Sequence, residues 1–353
     1  MIIPVGIHNT NSNSIFTSTT SRISSYTSSH AAFDRTTNIA GDVRKSCLGT
    51  NLDQKQRLTN RSQRSLSRHL KFGFGKKAST RTRRVAGSTQ NPKMILERTL
   101  RFNNARDEEL VGVFMDAGSD HVVILCHGHM ANKDMCNFGL IAACLAEDAK
   151  ISSFRFDHPC AWRGESQRKG PFLMGNHEQE VSDIVAAVEF LRKQLKKDVC
   201  CILGHSKGGT NVVQYAAQAG DVPKIINLSG RFCVRQGLFQ RFGKDILERL
   251  SEKGEEGISR KEPDGFEWVM RLDDFQNRAD LPMEEFAAAI KKAGKVQLLC
   301  LHGQQDTTVP WQESELCAQL SGGQLKVVQG DHNFRNPEAA RTMIKEIINF
   351  LAD

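Results

Sequence analysis

One stretch constrains this chain more than any other: Val199-Cys200-Cys201-Ile202-Leu203-Gly204-His205-Ser206-Lys207-Gly208-Gly209. An apolar, strand-like run feeds directly into Gly-x-Ser-x-Gly, and Thr210 to Gln218 continues with a helix-like pattern. Strand, tight turn and helix in that order predict a strained backbone at Ser206, with its hydroxyl standing clear at the top of a sheet. Glycine is needed at 204 and 208 because side chains there would collide where strand and helix cross. On its own, Gly-x-Ser-x-Gly is a common glycine-rich turn. Its flanks make Ser206 a candidate nucleophile.

The segments around this stretch alternate. His121 to Cys126 is a continuous apolar run, which suits a strand buried on both faces. Asn132 reads as a helix cap before Met135, Phe138, Ile141, Ala142 and Leu145 at helical spacing. Ile151–Phe156 is the next strand, and Val181, Ile184, Val185, Val188 and Leu191 form one helical stripe. Lys224–Leu228, Val296–Leu301 and Leu325–Val328 read as later strands, with helices at Gln312–Leu320 and Pro337–Leu351. Met94–Phe102 and Leu110–Met115 read as two short strands ahead of the series. Strands alternating with helices predict an α/β fold, a doubly wound, mostly parallel sheet with helices on both faces. Residues 231–293 break the alternation; charged and helix-leaning, they are expected to form an inserted helical cap over the sheet's carboxyl edge.

Charge divides the chain in two. Residues 1–96 carry 16 Lys and Arg against three acids (Asp34, Asp42, Asp53), or +13 of a total of +8, which leaves −5 for residues 97–353. The basic character therefore belongs to the N-terminal third. No basic face with interleaved aromatics marks the remainder, so no nucleic-acid partner is expected for it. Residues 1–90 are rich in Ser, Thr, Arg and Lys and poor in apolar residues, and cannot bury enough surface to fold. Two readings of this extension stand side by side: an organelle transit peptide, or a disordered basic tail. The first points to the chloroplast, with the mitochondrion or cytoplasm as alternatives. The remaining 91–353 is expected to be the folded domain. The ten cysteines show no metal-ligand spacing, and Cys126, Cys200, Cys201 and Cys300 sit in strand-like runs as small hydrophobes, which suits a reducing compartment. No apolar run approaches bilayer length, so a soluble protein without a transmembrane segment is expected.

A nucleophilic serine needs a base, and the base an orienting acid. In sheets of this kind such groups gather at the carboxyl ends of strands. Leu299-Cys300-Leu301-His302-Gly303-Gln304-Gln305-Asp306 puts Asp306 just past one strand, and Val327-Val328-Gln329-Gly330-Asp331-His332 puts His332 past the last. Asp331 beside it is read as a turn former. His127 and His302, each before a Gly at a strand end, are read as loop-shaping, and Asp157 as organising the loop after its strand.

With these motifs the chain resembles the α/β-hydrolase superfamily, and within it the serine-aminopeptidase (S33-like) branch. That branch holds cinnamoyl and feruloyl esterases, lysophospholipase-like lipases and plant esterase-like relatives. The resemblance rests on His127-Gly128-His129, Phe156-Asp157, Gly204–Gly209, Ser229-Gly230-Arg231, His302-Gly303 with Asp306 and Val309-Pro310, and Asp331-His332, over residues 94–353. It implies Ser206 as nucleophile, His332 as general base and then acid, and Asp306 as the residue that fixes the imidazole tautomer. It also implies an oxyanion hole from the backbone N–H groups of His129 and Lys207. The Lys207 side chain could add positive charge near the oxyanion or be solvated, and it is read as solvated because only its backbone is required. No cofactor and no metal are implied. Relatives usually have a compact Asp-x-x-Gly-x-Gly-x-Ser turn after the fourth strand; here Asp157 to Ser166 is about two residues longer and lacks the first glycine.

The expected activity is hydrolysis of a small-molecule carboxylic ester through an acyl-enzyme. Thioesterase, lysophospholipase or aminopeptidase activity would use the same residues. The alternative of another class is a catalytically idle relative that binds a ligand or partner. Haloalkane and epoxide chemistry is not expected, since it needs Asp at the elbow.

Overall fold

The structure, a computed structural model, describes residues 96–353 except 263 and 264. The basic extension over residues 1–90 lies outside the described residues. The first two strands, β1 (Leu96–Asn103) and β2 (Glu109–Asp116), pair antiparallel. β3 (His121–Cys126), β4 (Ser152–Phe156), β5 (Asp198–His205), β6 (Lys224–Leu228), β9 (Gln297–Gly303) and β10 (Gln324–Val328) complete an eight-stranded sheet in the order β1-β2-β4-β3-β5-β6-β9-β10. Every pairing from β4 onward in that order is parallel.

The continuous apolar run of β3 is explained by burial on both faces. Val122, Ile124 and Cys126 join one apolar layer, and Val123 and Leu125 the other. Helices α1 (Phe138–Cys144) and α9 (Pro337–Ala352) cover the second layer with Phe138, Ile141, Met343 and Ile347. Helices α2 (His177–Lys193), α3 (Lys207–Gln218), α7 (Met283–Ala293) and α8 (Gln312–Ser321) cover the first.

Two local expectations need correction. Asn132 caps no helix: its Oδ1 accepts from Asp134 N (3.0 Å) and its Nδ2 donates to Trp162 O (2.9 Å), which ties a turn to a later loop. The helix starts six residues on, after Asn137 at φ 59°, and widens into a π-turn at Leu145–Ala149. The insertion after β6 is not purely helical. It holds α4 (Val234–Phe242), α5 (Ile246–Lys253), an antiparallel hairpin of β7 (Ile258–Lys261) and β8 (Glu267–Met270), and α6 (Leu272–Ala279). The next helix, α7, packs against α3 and α8 on the flank of the sheet, so the cap ends before Met283. Among the described residues no helix is long and apolar enough to cross a membrane.

Candidate active site

β5 ends at His205, α3 begins at Lys207, and Ser206 alone makes the turn, at φ 56° and ψ −117°. L-residues seldom adopt such a backbone; here Ser206 N donates to Leu228 O (2.9 Å) on the neighbouring strand end. A Cβ on Gly204 would lie 2.1 Å from Gly208 O, and one on Gly208 2.3 Å from Cys126 O. Close approach of strand, helix and β3 therefore excludes any side chain at either position.

The loops after β9 and β10 bring the other two candidates to the serine. His332 Nε2 is 3.0 Å from Ser206 Oγ, and His332 Nδ1 is 2.6 Å from Asp306 Oδ2. With its Nδ1–H donated to Asp306, the ring presents an Nε2 lone pair to the serine hydroxyl. The other carboxylate oxygen, Asp306 Oδ1, accepts from Thr308 N (2.7 Å) and Val309 N (2.8 Å). Burial pulls His332 below its ordinary pKa, with Asp306 opposing it. For Asp306, burial acts upward, but the bonds from His302 and His332 prevail and hold it below the usual carboxylate range. The His332 loop is itself pinned: His205 Nε2 donates to His332 O (2.8 Å), and Asn137 Nδ2 donates to Asn333 O (2.9 Å) and Phe334 O (3.2 Å). Asp331 accepts from Arg335 N (2.9 Å), the turn-forming part expected of it.

His302 does more than shape a loop. It is fully buried, and its Nε2–H is shared between Asp306 Oδ2 (3.0 Å) and Val309 O (3.0 Å), while Nδ1 accepts from Ser314 Oγ (2.7 Å). Two imidazoles therefore grip one carboxylate oxygen. The four-residue spacing from Asp306 is invisible as a pairing in a sequence with no helix there. His127 keeps the loop part expected of it: Nδ1 bonds Gly128 O (2.9 Å), Nε2 accepts from His158 N (3.1 Å), and burial holds its pKa at about 4.

The two backbone groups expected to face an oxyanion lie on adjoining segments. Lys207 is the first residue of α3, so its N–H has no acceptor within the helix. The loop carrying His129 lies against the elbow, since a Cβ on Gly128 would be 2.9 Å from Ser206 Cβ and 3.5 Å from Lys207 N. The Lys207 side chain overturns the expectation of a solvated ammonium. It is buried against Glu180 (2.9 Å) and the Asn176 side chain. Burial would push Glu180 up, but the Lys207 ammonium outweighs it and holds the carboxyl below its usual range. Asn211 Nδ2 donates to the second oxygen of Glu180 (2.6 Å).

Asp157 organises the long loop after β4, accepting from Lys133 N (2.7 Å), Lys133 Nζ (3.0 Å) and Glu165 N (2.8 Å). That loop places Trp162 against Phe266 of the cap (4.6 Å between ring centroids). Phe172 meets Phe266 (5.6 Å), Trp268 (5.4 Å) and the His129 ring (5.8 Å). One aromatic wall thus joins the loop, the cap hairpin and the segment beside the serine. Among the described residues no group of three or more His, Cys, Asp or Glu side chains is arranged to hold a metal ion.

Solved structures share this architecture. The Pyrococcus furiosus esterase Pf2001 superposes with a TM-score of 0.56 at 16% identity, over 76% of this chain and 97% of that one. Est1E from Butyrivibrio proteoclasticus, with ferulic acid bound, gives 0.55 at 19% over 72% and 99%. The α/β hydrolase GrgF from Penicillium sp. sh18 gives 0.55 at 14% over 73% and 98%. At these identities the likeness speaks for the fold, which is the α/β-hydrolase fold. No curated protein matches the chain. Residues 170–353, just over half of the chain, match the prolyl oligopeptidase family (Peptidase_S9) rather than the S33-like branch that the motifs resemble. The chain belongs to the prolyl oligopeptidase family and is a serine hydrolase of the α/β-hydrolase type.

Proposed function

We propose that this hydrolase cleaves carboxylic esters through an acyl-enzyme on Ser206. The carrying observation is the unbroken line from Ser206 Oγ through His332 to Asp306, at 3.0 and 2.6 Å. Ser206 Oγ attacks the ester carbonyl carbon as His332 Nε2 takes its proton, and the carbonyl oxygen becomes an oxyanion facing the N–H groups of His129 and Lys207. Collapse breaks the bond to the alcohol oxygen, which leaves with the proton from His332. Water, deprotonated by the same nitrogen, then attacks the acyl carbon and frees Ser206. Asp306 keeps the ring in the required tautomer throughout. Losing one oxyanion donor in such a site lowers turnover by about 10²–10³.

The motifs resembling S33-like esterases favour an ester, as does the aromatic wall beside the serine. A second reading, cleavage of a short peptide, is favoured by the family match over residues 170–353. Thioesters and lysophospholipids would follow the same steps. An idle, ligand-binding relative fits poorly with three correctly bonded side chains. Labelling by a fluorophosphonate probe, compared with Ser206→Ala, and turnover of p-nitrophenyl esters against aminoacyl p-nitroanilides separate the readings. No label and no turnover would refute the hydrolytic one; faster anilide than ester turnover would favour peptides. For residues 1–90 the chloroplast transit peptide is retained as a proposal on composition. A fluorescent protein fused behind that segment and imaged in leaf cells checks it, and a purely cytoplasmic signal refutes it.

A further inference from the structure

Beside the proposed oxyanion loop, the protein buries a cation that has no anion at ion-pair distance among the described residues. Arg278, on the cap helix α6, is 9% exposed, and its Nη1 donates to Met174 O (3.3 Å). Its Nε has no acceptor, and its guanidinium makes no ion pair among the described residues. Asp274, one turn earlier, is engaged elsewhere: its two oxygens accept from Met174 N (2.8 Å) and Gly175 N (2.7 Å). Glu180 is matched by Lys207 and Asn211. Burying a guanidinium without a counter-anion is strongly unfavourable.

The surroundings deepen the imbalance. His129 Nε2 and His177 Nε2 are also buried without partners. The segment 172–177 links all of these groups to the serine: Phe172 packs on the His129 ring, Met174 bonds Arg278, and Asn176 holds the ammonium of Lys207, the residue after Ser206. α4 packs on α6 through Phe239 and Phe242 against Phe275 (6.0 and 6.2 Å). Arg241 neighbours that contact. Burial, together with the like charge of Arg241, pulls Arg278 down to about 10, against the opposing pull of the Glu180 and Asp274 carboxylates. Burial and the charges of Arg278, Lys207 and Arg241 keep His129 well below its ordinary pKa, so its ring is neutral.

We propose that Arg278 and the His129 imidazole form an anion subsite on the acyl side of Ser206, and that the substrates are esters whose acyl chain ends in a carboxylate. The acyl side is assigned because His129 also carries one of the two N–H groups proposed to receive the carbonyl oxygen. The proposal rests on the acyl-enzyme reading of Ser206. An incoming carboxylate would give the guanidinium the direct ion pair it lacks and accept from its unpartnered Nε, and a guanidinium suits it because two parallel bonds are available.

The test compares p-nitrophenyl hemiadipate with p-nitrophenyl hexanoate, which differ only in the terminal carboxylate. The full-length protein should favour the hemiadipate in kcat/KM by about tenfold or more. Arg278→Met should lower the hemiadipate-to-hexanoate ratio by about 10- to 100-fold, mostly through KM, and Arg278→Lys should recover part of it. Adipate should raise the Tm of the Ser206→Ala protein and hexanamide should not, a readout that stands even if Arg278→Met fails to fold. A preference for hexanoate, an unchanged ratio in a folded Arg278→Met, or an adipate shift no larger than that of hexanamide overturns the subsite. Absence of fluorophosphonate labelling at Ser206 overturns the acyl-enzyme reading instead.

Discussion

The two sides of Ser206 are built on opposite principles. On the Asp306 side every polar side-chain atom of Asp306 and His332 is matched. One carboxylate oxygen receives two backbone N–H groups, the other two imidazoles, and even the carbonyl of His332 is claimed by His205. On the Arg278 side three buried nitrogens go unmatched within one short segment's reach. A satisfied network holds a geometry that must be in place before any ligand arrives. Unmatched buried donors instead mark where the partner is still to come. Within one site, preorganisation and recognition have been given to different walls.

Substitutions on the matched wall should cost the most. Ser206→Ala should lower kcat by about 10⁴–10⁶ with little change in Tm; residual turnover above that range would detach the wall from the chemistry. Asp306→Asn should cost about 10⁴ in kcat, because the amide favours the wrong tautomer of His332. It should also move the acid limb of kcat/KM to lower pH, since the carboxylate that props up the His332 pKa is gone. In the unmutated protein that limb should lie below the ordinary histidine value of about 6.5, and a limb above it would contradict the burial seen here.

Next comes stability. Lys207→Met leaves Glu180 buried and uncompensated, and should cost about 3–5 kcal/mol in chemical denaturation. The sign with pH follows from Glu180. Its depressed native pKa gives stability that is present above the ordinary glutamate value of about 4.3 and lost as pH falls below it. The gap between variant and parent should therefore narrow in acid, and a gap that widens would mean the pair is not what Lys207 contributes. The smallest effect belongs to His302→Gln. It should reduce kcat by about tenfold with KM unchanged, because Asp306 loses one of its two imidazole donors but keeps His332.

The contrast between the walls also explains what could be read from the chain alone. β3, β5, β6 and β9 are legible because apolar runs report burial on both faces, and Ser206, Asp306 and His332 because each stands just past a strand. The hairpin was hidden since Ile258–Lys261 is Ile-Ser-Arg-Lys, a strand whose last three residues face solvent and carry no alternation. Lys207 looked solvated because its partner Glu180 lies 27 residues upstream on another helix. Arg278 gave no signal at all: one more arginine in a charged insertion, distinguished only by which neighbours the fold denies it. Local pattern reports what a residue faces, whereas pairing across the fold is decided by topology.

The latch of Asp274 on Met174 and Gly175 bears on how often the site can turn over. Lifting α6 away from the sheet breaks two charge-assisted bonds or drags the 172–177 segment along, and with it the hold of Asn176 on Lys207. At about 1.5–3 kcal/mol for each such bond, a lifted α6 should be disfavoured by about 10²–10⁴ relative to an unlatched helix. The hairpin edge, which meets the opposite loop through the edge-to-face rings of Trp162 and Phe266, has no such restraint from backbone bonds to Asp274. Any opening that releases product is therefore expected at the hairpin edge rather than at α6, and its tempo could then set how soon the next substrate enters.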